Sequence, residues 1–362
     1  MAGFSRRKAL SSLAASAAAA AAGLVHYGGS GTPTAAADDM PSMAGMTGME
    51  HGTADTAGHS GHAGFARGGA VDNKANGFDP SLIVRDFDRG TVSQTDDGRT
   101  LREWHLIAVD KEIEIAPGVR YAAWTFNGRV PGPTLRCTEG DRLRIKFTNG
   151  SAHPHTVHFH GIHPSFMDGV PGLGEDIGGG LIEPGQSFTY EFDAEPFGLH
   201  LYHCHATPLA AHIAKGLYGT FIVDPPGGRP PADELVMVMN AFDTNFDADN
   251  EVYAVNTVAN HFMHEPIAVR VGELVRIYLV NLTEFDLINS LHLHGMFFDV
   301  FRTGTSLTST ERTDIVMMCQ GERAILETRF RYPGKFMFHA HQSEFAELGW
   351  MGMFEAGVRR DT

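Results

Sequence analysis

The densest metal-binding chemistry in this chain lies at His203-Cys204-His205 and at three further His-x-His pairs. These pairs are His158-Phe159-His160, His292-Leu293-His294 and His339-Ala340-His341. Side chains alternate across a β-strand, so residues i and i+2 share a face roughly 6.6–7 Å apart. Each pair can therefore aim two imidazoles at neighbouring metal ions. The central Cys204 must point the opposite way. One strand would then serve a metal cluster on one face and a thiolate-bound metal on the other.

The pairs also expose a duplication. His158 to His292 spans 134 positions and His203 to His339 spans 136. Such a period is too long for a solenoid unit and fits a doubled domain of ordinary size. Glu139-Gly140-Asp141-Arg142-Leu143-Arg144-Ile145 is echoed by Val271-Gly272-Glu273-Leu274-Val275-Arg276-Ile277. Gly219-Thr220-Phe221 is echoed by Gly352-Met353-Phe354.

The elements that must hold these residues are short strands. Glu103–Val109, Arg142–Phe147, Ser187–Phe192, Thr220–Val223 and Val275–Val280 are strand-like runs between Gly, Pro, Asn and Asp turns. That pattern predicts an all-β sandwich. Pro225-Pro226-Gly227-Gly228-Arg229-Pro230-Pro231 predicts a stiff connector. The expected organisation is two β-sandwich domains, 78–225 and 232–362.

Residues 1–77 read differently. Ser5-Arg6-Arg7-Lys8 precedes an Ala-rich apolar run, and Ala35-Ala36-Ala37 offers a small-residue cleavage site. Residues 1–37 therefore predict an export signal of the twin-arginine kind, which places the protein in the periplasm or outside the cell. Residues 38–77 predict a disordered leader carrying Met40, Met43, Met46, Met49, His51, His59 and His62. Thioether and imidazole are copper ligands, so this stretch reads as a copper-gathering tail or as a plain flexible leader.

The formal net charge is −15, and removing residues 1–37 deepens it to −18. Such acidity argues against nucleic acid or anionic membrane as a partner, and no other apolar run is long enough to span a bilayer. Three cysteines are too few for a disulfide framework. Cys204 belongs to the His-Cys-His motif; Cys137 and Cys319 sit in strand-like contexts and read as buried free thiols.

A His2Cys set with a weak or missing axial ligand is a blue-copper electron-transfer site. His155 lies three residues before His158, His212 eight after Cys204, and Leu217 five beyond His212. With these positions the segments His155–Gly161, His203–Leu217, Leu291–Gly295 and Phe338–His341 resemble the motifs of multicopper oxidases. The similarity runs from about residue 100 to 356. With two halves only, the chain resembles the two-domain, laccase-like members, built of tandem cupredoxin-like Greek-key β-sandwich domains.

The resemblance implies four coppers per chain. His155, Cys204 and His212 would hold type 1 copper, with Leu217 where many members carry an axial Met. His158 and His292 would bind type 2 copper, and His160, His203, His205, His294, His339 and His341 the type 3 pair. Ala340 replaces the cysteine of the second half, and Asn289 stands where its first type 1 histidine would be. The single blue site is thus expected in the first domain only. The resemblance further implies a homotrimer whose trinuclear sites lie between subunits, in a heterologous ring.

The activity so implied is one-electron oxidation of phenols, aromatic amines or metal ions, coupled to four-electron reduction of dioxygen to water. Electrons would pass from type 1 copper through Cys204 to His203 and His205. Asp168, in Met167-Asp168-Gly169, resembles the acid near the cluster in laccases; the plainer reading is a turn Asp before Gly. Glu344 and Glu347 follow the last pair and read as acids near the cluster or as exposed loop acids. His153, His163, His200, His261 and His264 fall outside the register and read as supporting or surface histidines.

Three other readings compete. Zinc also takes His and Cys, but does not call for a Cys flanked by two cluster histidines. Copper nitrite reductase shares the type 1 set and two cupredoxin domains, but has Asp where His158 stands and no histidine matching His205. A copper-storage protein is the reading of another class.

Overall fold

The computed structural model describes residues 70–172 and 180–357. The expected export signal and most of the expected Met/His-rich leader lie outside the described residues. The leader's last residues do not. Asn73–Asn76 form one helical turn, with the Asp72 carboxylate accepting from the N–H groups of Lys74 and Ala75. Asn76 exchanges two hydrogen bonds of 2.8 Å with the backbone of Glu114. A single docking asparagine leaves no periodic trace in sequence, so nothing sets this turn apart from the low-complexity stretch before it.

The first half contributes β1 (Thr91–Gln94), β2 (Thr100–Ala116), β3 (Val119–Phe126), β4 (Leu135–Thr138) and β5 (Arg142–Asn149). It continues with β6 (His158–Phe159), β7 (Ser187–Asp193), β8 (Gly198–His203) and β9 (Tyr218–Asp224). One sheet runs β1-β2-β5-β7, with β3 also on β2, and the other runs β4-β9-β8-β6. The alternation is visible in β5, where Leu143, Ile145 and Phe147 are buried and the residues between them are not.

The second half contributes β10 (Asp233–Phe242), β11 (Val252–Val255), β12 (Ile267–Arg270), β13 (Leu274–Asn281) and β14 (Ile288–Leu293). Then come β15 (Phe298–Arg302), β16 (Glu311–Thr313), β17 (Ile315–Cys319), β18 (Arg323–Arg329), β19 (Gly334–His339) and β20 (Met351–Gly357). Its sheets run β11-β10-β13-β18-β15-β16 and β12-β20-β19-β14-β17.

The pairing repeats between halves. β2 lies parallel to β5 as β10 does to β13, and β4 parallel to β9 as β12 does to β20. Parallel neighbours cannot be joined by a hairpin, so the chain crosses between sheets. The expected pair of cupredoxin-like Greek-key β-sandwiches is what forms. Gly219 and Gly352 mark the same place in each: a Cβ would meet the Tyr202 ring at 2.3 Å in one and the Phe338 ring at 2.4 Å in the other.

Each half closes over its own core. Phe147, Phe159, Tyr202 and Phe221 fill the first and Ile277, Leu291, Phe338 and Phe354 the second. Each buried aromatic of this kind contributes roughly 1.5–3 kcal/mol by leaving water. A third cluster joins the halves, packing Ile113, Tyr218 and Ile222 on Val236, Val238 and Tyr278.

Beside that cluster sits a buried ion network. Arg136 on β4 forks onto Asp224 at 2.8 and 2.9 Å and onto Glu234 of β10 at 2.7 and 3.0 Å. Arg276 bonds both Glu234 and Glu327, and the Tyr278 hydroxyl donates to Glu234 at 2.7 Å. Burial alone would push the Glu234 carboxyl up, but the bonds from Arg136 and Tyr278 outweigh it and hold the group at about 2.

Candidate metal centre

Pairing of β6 with β8 sets His158 opposite His203. Pairing of β14 with β19 sets His292 opposite His339. Each register brings four imidazoles together. His158 lies with its ring centroid 4.9 Å from His160, 5.4 Å from His203 and 5.3 Å from His205. His292 lies 5.0 Å from His294, 5.4 Å from His339 and 5.6 Å from His341. In the first quartet the Nε2 atoms of His160 and His203 face each other at 2.8 Å; in the second those of His294 and His339 do so at 3.0 Å.

The remote nitrogens are held by the protein. His158 Nδ1 meets the Asp168 carbonyl at 2.9 Å and its carboxylate at 2.8 Å. His203 Nδ1 meets the Cys204 carbonyl at 2.8 Å, and His339 Nδ1 the Ala340 carbonyl at 2.6 Å. His292 Nδ1 meets the Asp314 carbonyl at 2.9 Å. A neutral imidazole that donates from Nδ1 presents its Nε2 lone pair to a metal. Burial pushes His160 down to about 2 and His203 down to about 4, which favours the neutral form of both. The backbone adds a matched pair of bonds. The His205 N–H donates to Thr156 Oγ1 at 3.0 Å and the His341 N–H to Ser290 Oγ at 2.9 Å.

Immediately after the end of β8, Cys204 joins His155 and His212 in the second donor set. Cys204 Sγ lies 3.2 Å from His212 Nδ1 and 3.7 Å from His155 Nδ1, and those two nitrogens are 3.1 Å apart. All three side chains are buried. His155 comes from the approach to β6, and His212 from the short helix Leu209–Ala214 after β8. Burial pushes His155 down to about 3 and His212 down to about 4. It pushes the Cys204 thiol up to about 11, against the pull of the Thr156 and Ala206 N–H groups. Two neutral imidazoles and one sulfur converge in a dry pocket, which fits a soft to borderline cation that turns the thiol into thiolate. Leu217 is fully buried beside them, its carbonyl accepting the Cys204 N–H at 2.9 Å.

Over this pocket lies Trp124. Its ring centroid is 4.7 Å from His153, 5.3 Å from His155 and 4.8 Å from His212. The other edge of Trp124 lines an open cleft of about 490 Å³ shared with Asp110, Glu112, His153 and Lys215. No motif points to this cap, because Trp124 precedes the metal-binding segments by a whole strand pair.

Asp168 sits on a turn that needs Gly169, which has φ of +71° and whose Cβ would stand 2.1 Å from the Val157 carbonyl. The turn presses Asp168 onto His158 and within 3.4 Å of His163 Nε2. The acid of the second half, Asp314, lies 22 positions after His292, whereas Asp168 lies 10 after His158. That unequal spacing hides Asp314 from any repeat argument. Glu344 is exposed at the start of the helix Ser343–Glu347, where its charge reaches the Tyr253 hydroxyl.

The second half has no counterpart to the Cys204 set among the described residues. Asn289 is buried and donates to Thr283 Oγ1 at 3.0 Å. Trp350 occupies the place of Leu217, its carbonyl accepting the Ala340 N–H at 3.1 Å, and is fully buried. Among the described residues, the ring contacts and hydrogen bonds within each quartet do not extend to the other.

Comparison with known proteins agrees with this geometry. Two multicopper oxidase family profiles match residues 108–228 and 229–359. A crystal structure of a multicopper oxidase is similar at 62% identity and TM-score 0.77, covering 80% of this chain and 100% of that one. The blue copper oxidase of Nitrosomonas europaea is similar at 28% identity and TM-score 0.64, over 71% of this chain and 86% of that one. The copper-containing nitrite reductase of Neisseria gonorrhoeae is 32% identical over 64% of this chain, a match that spans 62% of that relative's length. No helix among the described residues is long and apolar enough to cross a membrane. With both halves matched and the histidine pairs in register, the chain belongs to the copper-binding multicopper oxidase family.

Proposed function

We propose that this chain is a two-domain, laccase-like oxidase that couples one-electron oxidation of a small reducing substrate to reduction of dioxygen to water. The observation that carries the reading is the pair of complete histidine quartets. A nitrite reductase resembles this family but needs neither an imidazole at His158 nor one at His205, and both are here in ring contact at 5.3 Å.

His155, Cys204 and His212 would hold type 1 copper in the first domain. His158 and His292 would hold type 2 copper, and His160, His203, His205, His294, His339 and His341 the type 3 pair. Bound copper would supply the one-electron redox steps and the binding and reduction of dioxygen. The chain's own contribution is placement. Cys204 joins the two donor sets through its neighbours His203 and His205. Trp124 covers the buried ligands and offers an aromatic surface to phenols or aromatic amines, with metal ions as the other class. Asp168 orients His158 and would hold a proton near it.

Each chain carries both quartets without linking them, so a second copy would complete each cluster, as in a homotrimer with heterologous contacts. The leader sequence supports export by the twin-arginine route.

The test is a copper count, an absorption spectrum and oxygen uptake with a phenolic donor. Four coppers per chain, a blue band and uptake without free peroxide support the oxidase. Two coppers per chain, nitrite reduction and negligible oxygen turnover would overturn it in favour of nitrite reductase. Bound copper with neither turnover would favour storage.

A further inference from the structure

His155 makes one contact that the donor set does not require. Its Nε2, on the side away from Cys204, lies 2.9 Å from Ser151 Oγ. Ser151 Oγ lies in turn 2.7 Å from Asp110 Oδ1, and Asp110 Oδ2 accepts the Ala152 N–H at 2.8 Å. The directions are fixed by chemistry. A carboxylate only accepts, so the Ser151 hydroxyl donates to Asp110; its oxygen accepts the His153 N–H at 3.1 Å and has a second lone pair for His155 Nε2–H. That tautomer leaves Nδ1 as the lone-pair nitrogen, the one that faces Cys204 and His212. His155 and Ser151 are buried, whereas Asp110 is exposed at the edge of the Trp124 cleft. Asp110 and Trp124 are direct cross-strand partners on β2 and β3.

We propose that Asp110 is a positioning residue that sets the reduction potential of the blue centre, acting through Ser151 on His155. This rests on the type 1 reading of His155, Cys204 and His212 given above. A hydroxyl that is itself held by a carboxylate draws the Nε2 proton outward and makes Nδ1 the stronger donor. A stronger donor favours the oxidised, more positive metal, so the chain Asp110–Ser151–His155 lowers the potential. The other carboxylate of the cleft, Glu112, is bound to Arg120 at 2.6 Å and has no such path.

The experiment is a redox titration of the blue band in the full-length, copper-loaded protein. Asp110→Asn and Ser151→Ala are each expected to raise the midpoint, shifting the ratio of reduced to oxidised centre about tenfold at fixed potential, or about 59 mV for one electron. The double variant is expected to move no further than Ser151→Ala alone, because both act on one path. Glu112→Gln is expected to leave the midpoint in place. A blue band with unchanged midpoints in Asp110→Asn and Ser151→Ala overturns the relay and leaves the type 1 reading standing. Equal shifts from Asp110→Asn and Glu112→Gln overturn it as well, in favour of plain surface charge. A wild-type protein that binds copper without a blue band overturns the type 1 reading and the relay with it.

Discussion

His158 and Asp168 are locked together by two contacts, Nδ1 to the carbonyl at 2.9 Å and Nδ1 to the carboxylate at 2.8 Å. Carboxylates behind metal-binding imidazoles fix tautomer and ring orientation. Asp168→Asn should therefore weaken copper retention at the His158 position by about 10–100-fold. Competition with a chelator, followed by metal analysis, reads this directly. A variant that holds copper as tightly as the wild type would show that Asp168 serves only the turn.

Leu217 is fully buried beside Cys204 and brings no ligand atom to the pocket. Leu217→Met places a thioether there at nearly constant volume, a change that usually costs less than about 1.5 kcal/mol. A weak axial sulfur lowers the potential of a His2Cys copper. The expected outcome is a lower midpoint for the blue band with the melting temperature little changed. A midpoint that stays put or rises would mean that the new side chain does not reach the metal position.

Whether a residue's place is legible in the sequence depends on whether it follows a period. The four His-x-His pairs follow the two-residue period of a strand and a repeat of about one domain, so both quartets can be placed by number. His155 and His212, and the Asn289 and Ala340 that stand at matching offsets in the second half, follow from their spacing to those pairs. Asp110, Ser151 and Trp124 carry no such signal. They meet His155 through a cross-strand pairing and a loop, and neither leaves a spacing in the chain. Asp314 escapes for the same reason, since its loop differs in length from that of Asp168. The buried fork of Arg136 is hidden because its Arg and Glu234 lie 98 positions apart and read singly as surface charges.

That fork gives a prediction about acid. The Glu234 carboxyl is held at about 2 in the folded protein, below the ordinary value of 4.5. A depressed carboxyl contributes stability that is fully present above about 4.5 and is lost as pH falls toward 2. Glu234→Gln removes the charge and leaves Arg136 and Arg276 facing each other across a buried site. Removing one partner from such a network costs about 3–5 kcal/mol. The variant should melt well below the wild type at pH 7, and the gap should narrow as pH is lowered from about 4.5 toward 2. Denaturant midpoints measured across that range decide it, and a gap that is constant with pH would count against the assignment.

Glu284 predicts the opposite sign. Burial pushes its carboxyl up to about 7, against the pull of the Phe285 N–H, and its side chain accepts a bond from Gln320. A raised carboxyl binds its proton more tightly folded than unfolded, so stability falls as pH rises from about 4.5 through 7. Glu284→Gln keeps an oxygen for Gln320 and removes the charge that burial disfavours. On a half-buried group, solvent screening reduces the gain to about 1 kcal/mol. For a chain of 362 residues that amounts to a rise of about 1–2 °C in melting temperature at pH 8. At pH 4, where the wild-type carboxyl is already protonated, the two proteins should melt together. A variant stabilised equally at both pH values would place the gain in packing rather than in the proton.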